Sequence, residues 1–196
     1  MKRAILILVV LCGICFGTSA QSVTPINMTD LVLNERCESS YATVYTCMND
    51  THSVGQLLIP KEDKSSMRQF NKSVSEDLWK KAVEISPKRY VPSLIDVQQA
   101  EVLLAEVLID GIIPKMGRWN QYIGNLSNYT KNYRTYGFYL NKKGERCVYI
   151  VMELEPIPGM TGFSSMWDGC EATVYVNLNM EKREVIRAYR STCQGY

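Results

Sequence analysis

Apolar and polar residues alternate along 41–48 (YATVYTCM), the two-residue period of a half-buried strand. Turn-forming residues occupy 49–53, and 54–59 reads as a second short strand, so an N-terminal hairpin is expected. Residues 60–73 are polar and predict a surface connection. A short helix is expected to start at Ser75, whose hydroxyl can cap free backbone N–H groups beside Glu76 and Asp77. Leu78, Trp79, Ala82, Val83 and Ile85 would form its buried stripe, and Pro87 would stop it. The longest helix spans 93–110, with Ser93 as N-cap and Gly111 as terminator. Val97, Glu101, Leu104 and Leu108 share one face, while Ile95, Val102 and Ile109 share another. So broad an apolar surface predicts a helix mostly buried against a sheet.

The C-terminal third is strand-rich. Residues 133–140 and 145–155 flank Asn141-Lys142-Lys143-Gly144, which suits a type I turn with Gly144 at positive φ. Pairing Asn141 with Glu145 sets Phe138 opposite Val148 and Tyr136 opposite Ile150. Tyr136, Phe138, Leu140, Val148, Ile150, Met152 and Leu154 then share one apolar face, and one parity serves both strands. After the loop EPIPGMTGFSSMW, residues 169–179 and 184–189 form a second hairpin. A four-residue loop at 180–183 would put Asn179 opposite Glu184 and Cys170 opposite Cys193.

The elements predict an α+β domain: a long helix packed on a four-stranded antiparallel meander, with an N-terminal hairpin and a short helix added. This resembles the cystatin-like arrangement, and a bridge between Cys170 and Cys193 at the base of the last hairpin resembles that of secreted cystatins. The inhibitory Q-x-V-x-G and Pro-Trp loops of that family are not at matching positions: the second tip is Asn179-Met180-Glu181-Lys182. A further resemblance covers 94–190. A helix with Ala105-Glu106 is followed by Tyr133-Arg134-Thr135-Tyr136-Gly137, Lys143-Gly144-Glu145-Arg146, Asp168-Gly169-Cys170 and a strand ending Val176-Asn177-Leu178. This is similar to small exported proteins of unknown function from Bacteroidetes bacteria, and implies export but no activity.

The first twenty residues read as a secretory leader. Lys2 and Arg3 give the basic start, Ala4 to Phe16 the apolar run, and Gly17-Thr18-Ser19-Ala20 the small residues before cleavage. The run is too short to cross a bilayer, which needs about 20 residues. Residues 21–196 are expected to form one secreted domain, extracellular or periplasmic. The leader holds two of the 22 basic residues and none of the 20 acidic ones, so the remainder balances to zero. That argues against nucleic acid as a partner. No later segment reads as a membrane span, since Glu106 and Asp110 interrupt the greasiest run. Five cysteines remain: Cys37, Cys47, Cys147, Cys170 and Cys193. Export makes disulfides the default, with Cys37–Cys47 and Cys170–Cys193 as candidate pairs. The odd one left over could link two chains as a disulfide-bonded dimer.

Candidate chemistry is sparse. His52 is the single histidine and lies in a turn, and beyond the leader, which takes Cys12 and Cys15 with it, there is no C-x-x-C, so no metal and no cofactor is expected. Cys147 falls mid-strand, where a structural thiol is the ordinary reading. Glu153, Glu155 and Asp168, or Glu106 and Asp110, are the carboxylates that a hydrolase would need. Five N-x-S/T sequons, at Asn27, Asn49, Asn71, Asn125 and Asn128, suggest a glycoprotein, though a bacterial chain would leave them unread. Tyr133, Tyr139, Tyr149 and Tyr175 share the second face of the sheet, with Tyr149 opposite Gly137. Such a row can stack on sugars or fill a protein interface, unless the N-terminal hairpin covers it. Trp167 in the 156–167 loop is a further contact candidate. The resulting expectation is a non-catalytic secreted module that binds protein or carbohydrate. A cystatin-like protease inhibitor and a carboxylate hydrolase stand as alternatives.

Overall fold

The computed structural model describes residues 24–50, 52–76, 84–107, 133–153 and 173–190. Seven strands are joined in one sheet in chain order: β1 (Asp30–Glu38), β2 (Ala42–Asn49), β3 (His52–Pro60), β4 (Tyr133–Leu140), β5 (Arg146–Glu153), β6 (Thr173–Asn179) and β7 (Glu184–Arg190). Every neighbouring pair is antiparallel except β3 and β4, which run parallel. Parallel strands need a crossover, and the chain between β3 and β4 carries both helices, α1 (Lys64–Glu76) and α2 (Leu94–Val107).

The helices pack on opposite faces. Phe70 and Val74 of α1 join Tyr139, Tyr149, Val151 and Tyr175 in one core. Val97, Ala100, Leu103 and Leu104 of α2 join Leu57, Tyr136, Phe138, Val148, Ile150 and Val176 in the other. Between the helices the chain turns round the end of β4, where Ile85 bridges Asn141 and the Ser86 N–H donates to the Leu140 carbonyl at 2.8 Å.

This corrects the expected architecture. A long helix on a four-stranded antiparallel meander is replaced, among the described residues, by a seven-stranded mixed sheet with two short helices. The N-terminal hairpin is not an appendage: β3 pairs with β4 (Leu57 beside Tyr136), and the unforeseen β1 extends the sheet. The polar stretch 60–73 is largely helix α1, whose buried stripe is narrow enough to read as surface. Ser75 sits in the last turns of α1, where its hydroxyl donates to the Lys72 carbonyl, and does not open a new helix. Ile85 lies in extended chain, while most of the expected helix falls outside the described residues.

The local expectations for the last strands hold. Tyr136 faces Ile150, Gly137 faces Tyr149 and Phe138 faces Val148. Gly144 has φ 82°, and its N–H closes the turn on the Asn141 carbonyl at 2.9 Å. Asn179 pairs with Glu184. A bulge then intervenes: Leu178 pairs with Val185 but Asn177 with Arg187, so Ile186 is an extra residue on β7. At the opposite edge the ladder steps from Leu33–Tyr45 to Glu38–Thr43, so residues 34–37 of β1 face Val44 alone. Ser93 caps α2 as expected. Its N–H and hydroxyl donate to Asp96 Oδ2 at 2.8 and 2.7 Å, while Ser93 Oγ accepts the Asp96 N–H at 3.4 Å, a reciprocal capping box.

Candidate functional site

The tyrosine row is where parity put it, and three of its four members are covered. Tyr139, Tyr149 and Tyr175 are each no more than 2% exposed beneath α1. Tyr149 and Tyr175 stack with centroids 6.3 Å apart and planes 19° from parallel. The Tyr139 hydroxyl donates to Asn177 Oδ1 at 2.8 Å, and burial pushes its pKa well up. Tyr133 is half-buried. The cover is helix α1 rather than the N-terminal hairpin, so a ligand could stack on these rings only by displacing Phe70 and Val74. Trp167 lies outside the described residues.

The cysteines are equally dispersed. Cys37 and Cys47 are not bonded: Cys47 belongs to the α2-side core, whereas Cys37 packs from the partly buried margin of the α1-side core. Cys147 is fully buried, and burial pushes its thiol up to about 11. Burial, with the Glu101 carboxylate behind it, pushes the Cys47 thiol higher still. Cys170 and Cys193 lie outside the described residues. Among the carboxylates, Glu153 is buried and Glu106 is ion-paired with Arg183; Asp110, Glu155 and Asp168 are not among the described residues. His52 is exposed at the start of β3. Of the sequons, Asn27 is exposed, Asn49 and Asn71 are half-buried, and Asn125 and Asn128 lie outside the described residues. Among the described residues no group of three or more His, Cys, Asp or Glu is placed to hold a metal ion.

Two polar constellations escaped the sequence reading. The first is internal. Arg134 Nε lies 2.9 Å from Glu101 Oε1 with both side chains fully excluded from solvent, and the Tyr136 hydroxyl donates to the same oxygen at 2.6 Å. Burial, and then the Glu101 carboxylate, push the Tyr136 pKa well up. Gly55 on β3 backs this cluster: a Cβ there would stand 2.4 Å from the Arg134 carbonyl oxygen, so only glycine lets the parallel strands close. The pattern held a signal, since Glu101 stood among Val97 and Leu104 on the buried face and Arg134 shares the parity of Tyr136.

The second constellation is at the surface, where the start of α2 meets the β4–β5 and β6–β7 turns. Asp96 Oδ1 accepts from the Tyr90 hydroxyl at 2.8 Å and from Arg146 at 2.9 Å, and Arg146 Nε also reaches Glu181 at 2.6 Å. Burial raises the Asp96 carboxyl, but hydrogen bonds from Ser93, Tyr90 and Arg146 outweigh it and hold the group below its ordinary value. Glu145 accepts from Asn141 at 2.7 Å and Asn179 at 2.9 Å, which lowers it too. These groups satisfy one another and read as a clasp joining three elements. Beside the clasp lies apolar surface. Ile95 is 69% exposed and Val91 55%, and Val102 shows its side chain two turns further along α2. The charged clasp and the Glu106–Arg183 pair border this stripe.

No protein-family model, no curated protein and no solved structure matches the chain.

Proposed function

We propose that this is an exported, non-catalytic binding protein whose contact surface is the outer face of α2. The observation that carries the reading is the exposure of Val91 just before α2 and of Ile95 and Val102 along it, between the Asp96–Arg146 and Glu106–Arg183 ion pairs. An apolar centre with a charged rim is the composition of a protein-binding patch. The use of the described chemical groups supports the same reading. Glu101 is buried against Arg134, Asp96 is engaged by four donors, and the Cys47 and Cys147 thiols are held protonated by burial. Carbohydrate stacking on Tyr139, Tyr149 and Tyr175 loses support because α1 covers them. Protease inhibition loses the cystatin-like architecture on which it rested. No helix among the described residues is long and apolar enough to cross a membrane.

The test is site-specific photocrosslinking in the native host's exported fraction, with the photoreactive residue at Ile95 or Val102 and, as control, at Lys64 on α1. The expected result is one discrete crosslinked protein from both α2 positions and none from Lys64. Equal, diffuse labelling from all three positions refutes the proposed surface.

A further inference from the structure

We infer that Asn27 is a site of N-linked glycosylation when the chain passes through a eukaryotic secretory pathway, and that Asn71 is not. The inference rests on the export proposed above and separates sequons that the sequence could not rank. Oligosaccharide transfer precedes the completion of folding, so the folded state decides which glycans are tolerated. A tolerated glycan needs an amide that no other group uses and a direction that leads to solvent.

Among the described residues, Asn27 meets both conditions. It is exposed between Ile26 and Met28, which are 4% and 5% exposed and belong to the α2-side core. Gln98 of α2 fixes this alternation by gripping the backbone on both sides. Its Oε1 accepts the Met28 N–H at 2.8 Å and its Nε2 donates to the Ile26 carbonyl at 3.1 Å. With its neighbours held inward, the Asn27 side chain leads away from the core. Thr29, the third sequon residue, is exposed, and its hydroxyl oxygen accepts the Asp50 N–H at 2.9 Å. Asn71 meets neither condition. It is half-buried within α1, and its Nδ2 points at the Ser86 carbonyl, 3.5 Å away. A sugar on that nitrogen would stand between α1 and the extended 84–86 segment, where the chain turns round β4.

The transfer balances without any group of this protein beyond the amide. Asn27 Nδ2 forms a bond to the anomeric carbon of a lipid-pyrophosphate-linked oligosaccharide. The bond from that carbon to the pyrophosphate oxygen breaks, and the lipid pyrophosphate leaves with its electron pair. The amide gives up one proton to a base of the host transferase.

The full chain is expressed in a eukaryotic secretory host in two forms, one with residues 1–20 and one with a proven leader replacing them. The secreted protein is deglycosylated with peptide-N-glycosidase in heavy-oxygen water and mapped by mass spectrometry. The expected result is labelled aspartate at position 27, unmodified Asn71, and loss of one glycan in Asn27→Gln with secretion retained. Bare Asn27, or label at position 71, in the secreted, folded protein overturns the inference and leaves the export reading intact. Retention of the first form in the cell, with label at 27 in the second, overturns the export reading and leaves the site standing.

Discussion

Replacing Glu101 by leucine removes the carboxylate that Arg134 and Tyr136 share in a region closed to water. Two costs follow. Arg134 keeps its charge but loses this counter-ion, and breaking a buried pair by deleting one partner costs about 3–5 kcal/mol. The Tyr136 hydroxyl also loses its acceptor, which in a buried setting costs about 1–3 kcal/mol. The two overlap, because both reflect one missing oxygen, so the expected loss is about 4 kcal/mol rather than their sum. In urea, with a slope of about 2 kcal/mol/M, the unfolding midpoint should fall by roughly 2 M. Glu101→Gln retains an acceptor for Tyr136 and should cost roughly half as much. The combined Glu101→Leu, Arg134→Met, Tyr136→Phe variant replaces all three of these polar groups with apolar volume and should recover a large part of that loss. The assay is equilibrium urea unfolding followed by circular dichroism and tyrosine fluorescence on all four proteins. If Glu101→Leu loses less than about 1 kcal/mol, water reaches the pair and the dry-core reasoning fails. If the triple variant is worse than Glu101→Leu, the polar groups are doing more than satisfying one another.

The close approach at Gly55 makes Gly55→Ala a sharper test than its size suggests, because the added carbon meets backbone rather than a movable side chain. A loss of at least about 1–3 kcal/mol in the same unfolding assay is expected, and a neutral substitution would mean β3 and β4 are not paired here. Asp96 has a lowered pKa, so it stabilises the fold above its unfolded-state value, and this contribution is lost as pH falls through the lower folded-state value. The wild-type urea midpoint should therefore fall as pH drops below about 4, and Asp96→Asn should fall less steeply over the same range. An identical pH slope in the two proteins would contradict this assignment. The raised Cys147 thiol predicts that, in native protein at mildly alkaline pH, iodoacetamide labels half-exposed Cys37 well before Cys147. Peptide mapping showing Cys147 labelled at the rate of Cys37 would refute its burial.

What the sequence made legible was local. The Asn141–Gly144 turn fixed the pairing of Tyr136 with Ile150 because a tight hairpin leaves one register open once a face is apolar. Ser93 and Asp96 announced the start of α2 through side-chain groups that bond neighbouring backbone. The relation of the N-terminal strands to the rest was not legible. Leu57 and Tyr136 are 79 positions apart, and their parallel pairing leaves no turn signature between them. The helix α1 was hidden for a different reason. Lys64, Arg68 and Lys72 keep its outer side charged, and Phe70 and Val74 alone carry its large buried contact. Without that helix the tyrosine row looked open to solvent. The α2 stripe was half visible, since Ile95 and Val102 were already grouped on a face separate from Val97 and Leu104.

Among the described residues the sheet ends at β1 and β7, and an outer row of backbone groups is the kind of margin on which a further strand can pair. Each row is broken: residues 34–37 swing out of step at one margin, and Ile186 interrupts the other. An incoming strand that matched the first few residues of either margin would lose its hydrogen bonds at the irregularity. The two defects thus shorten the run over which a further strand could pair beside the partly bare Val32, Leu33 and Ile186.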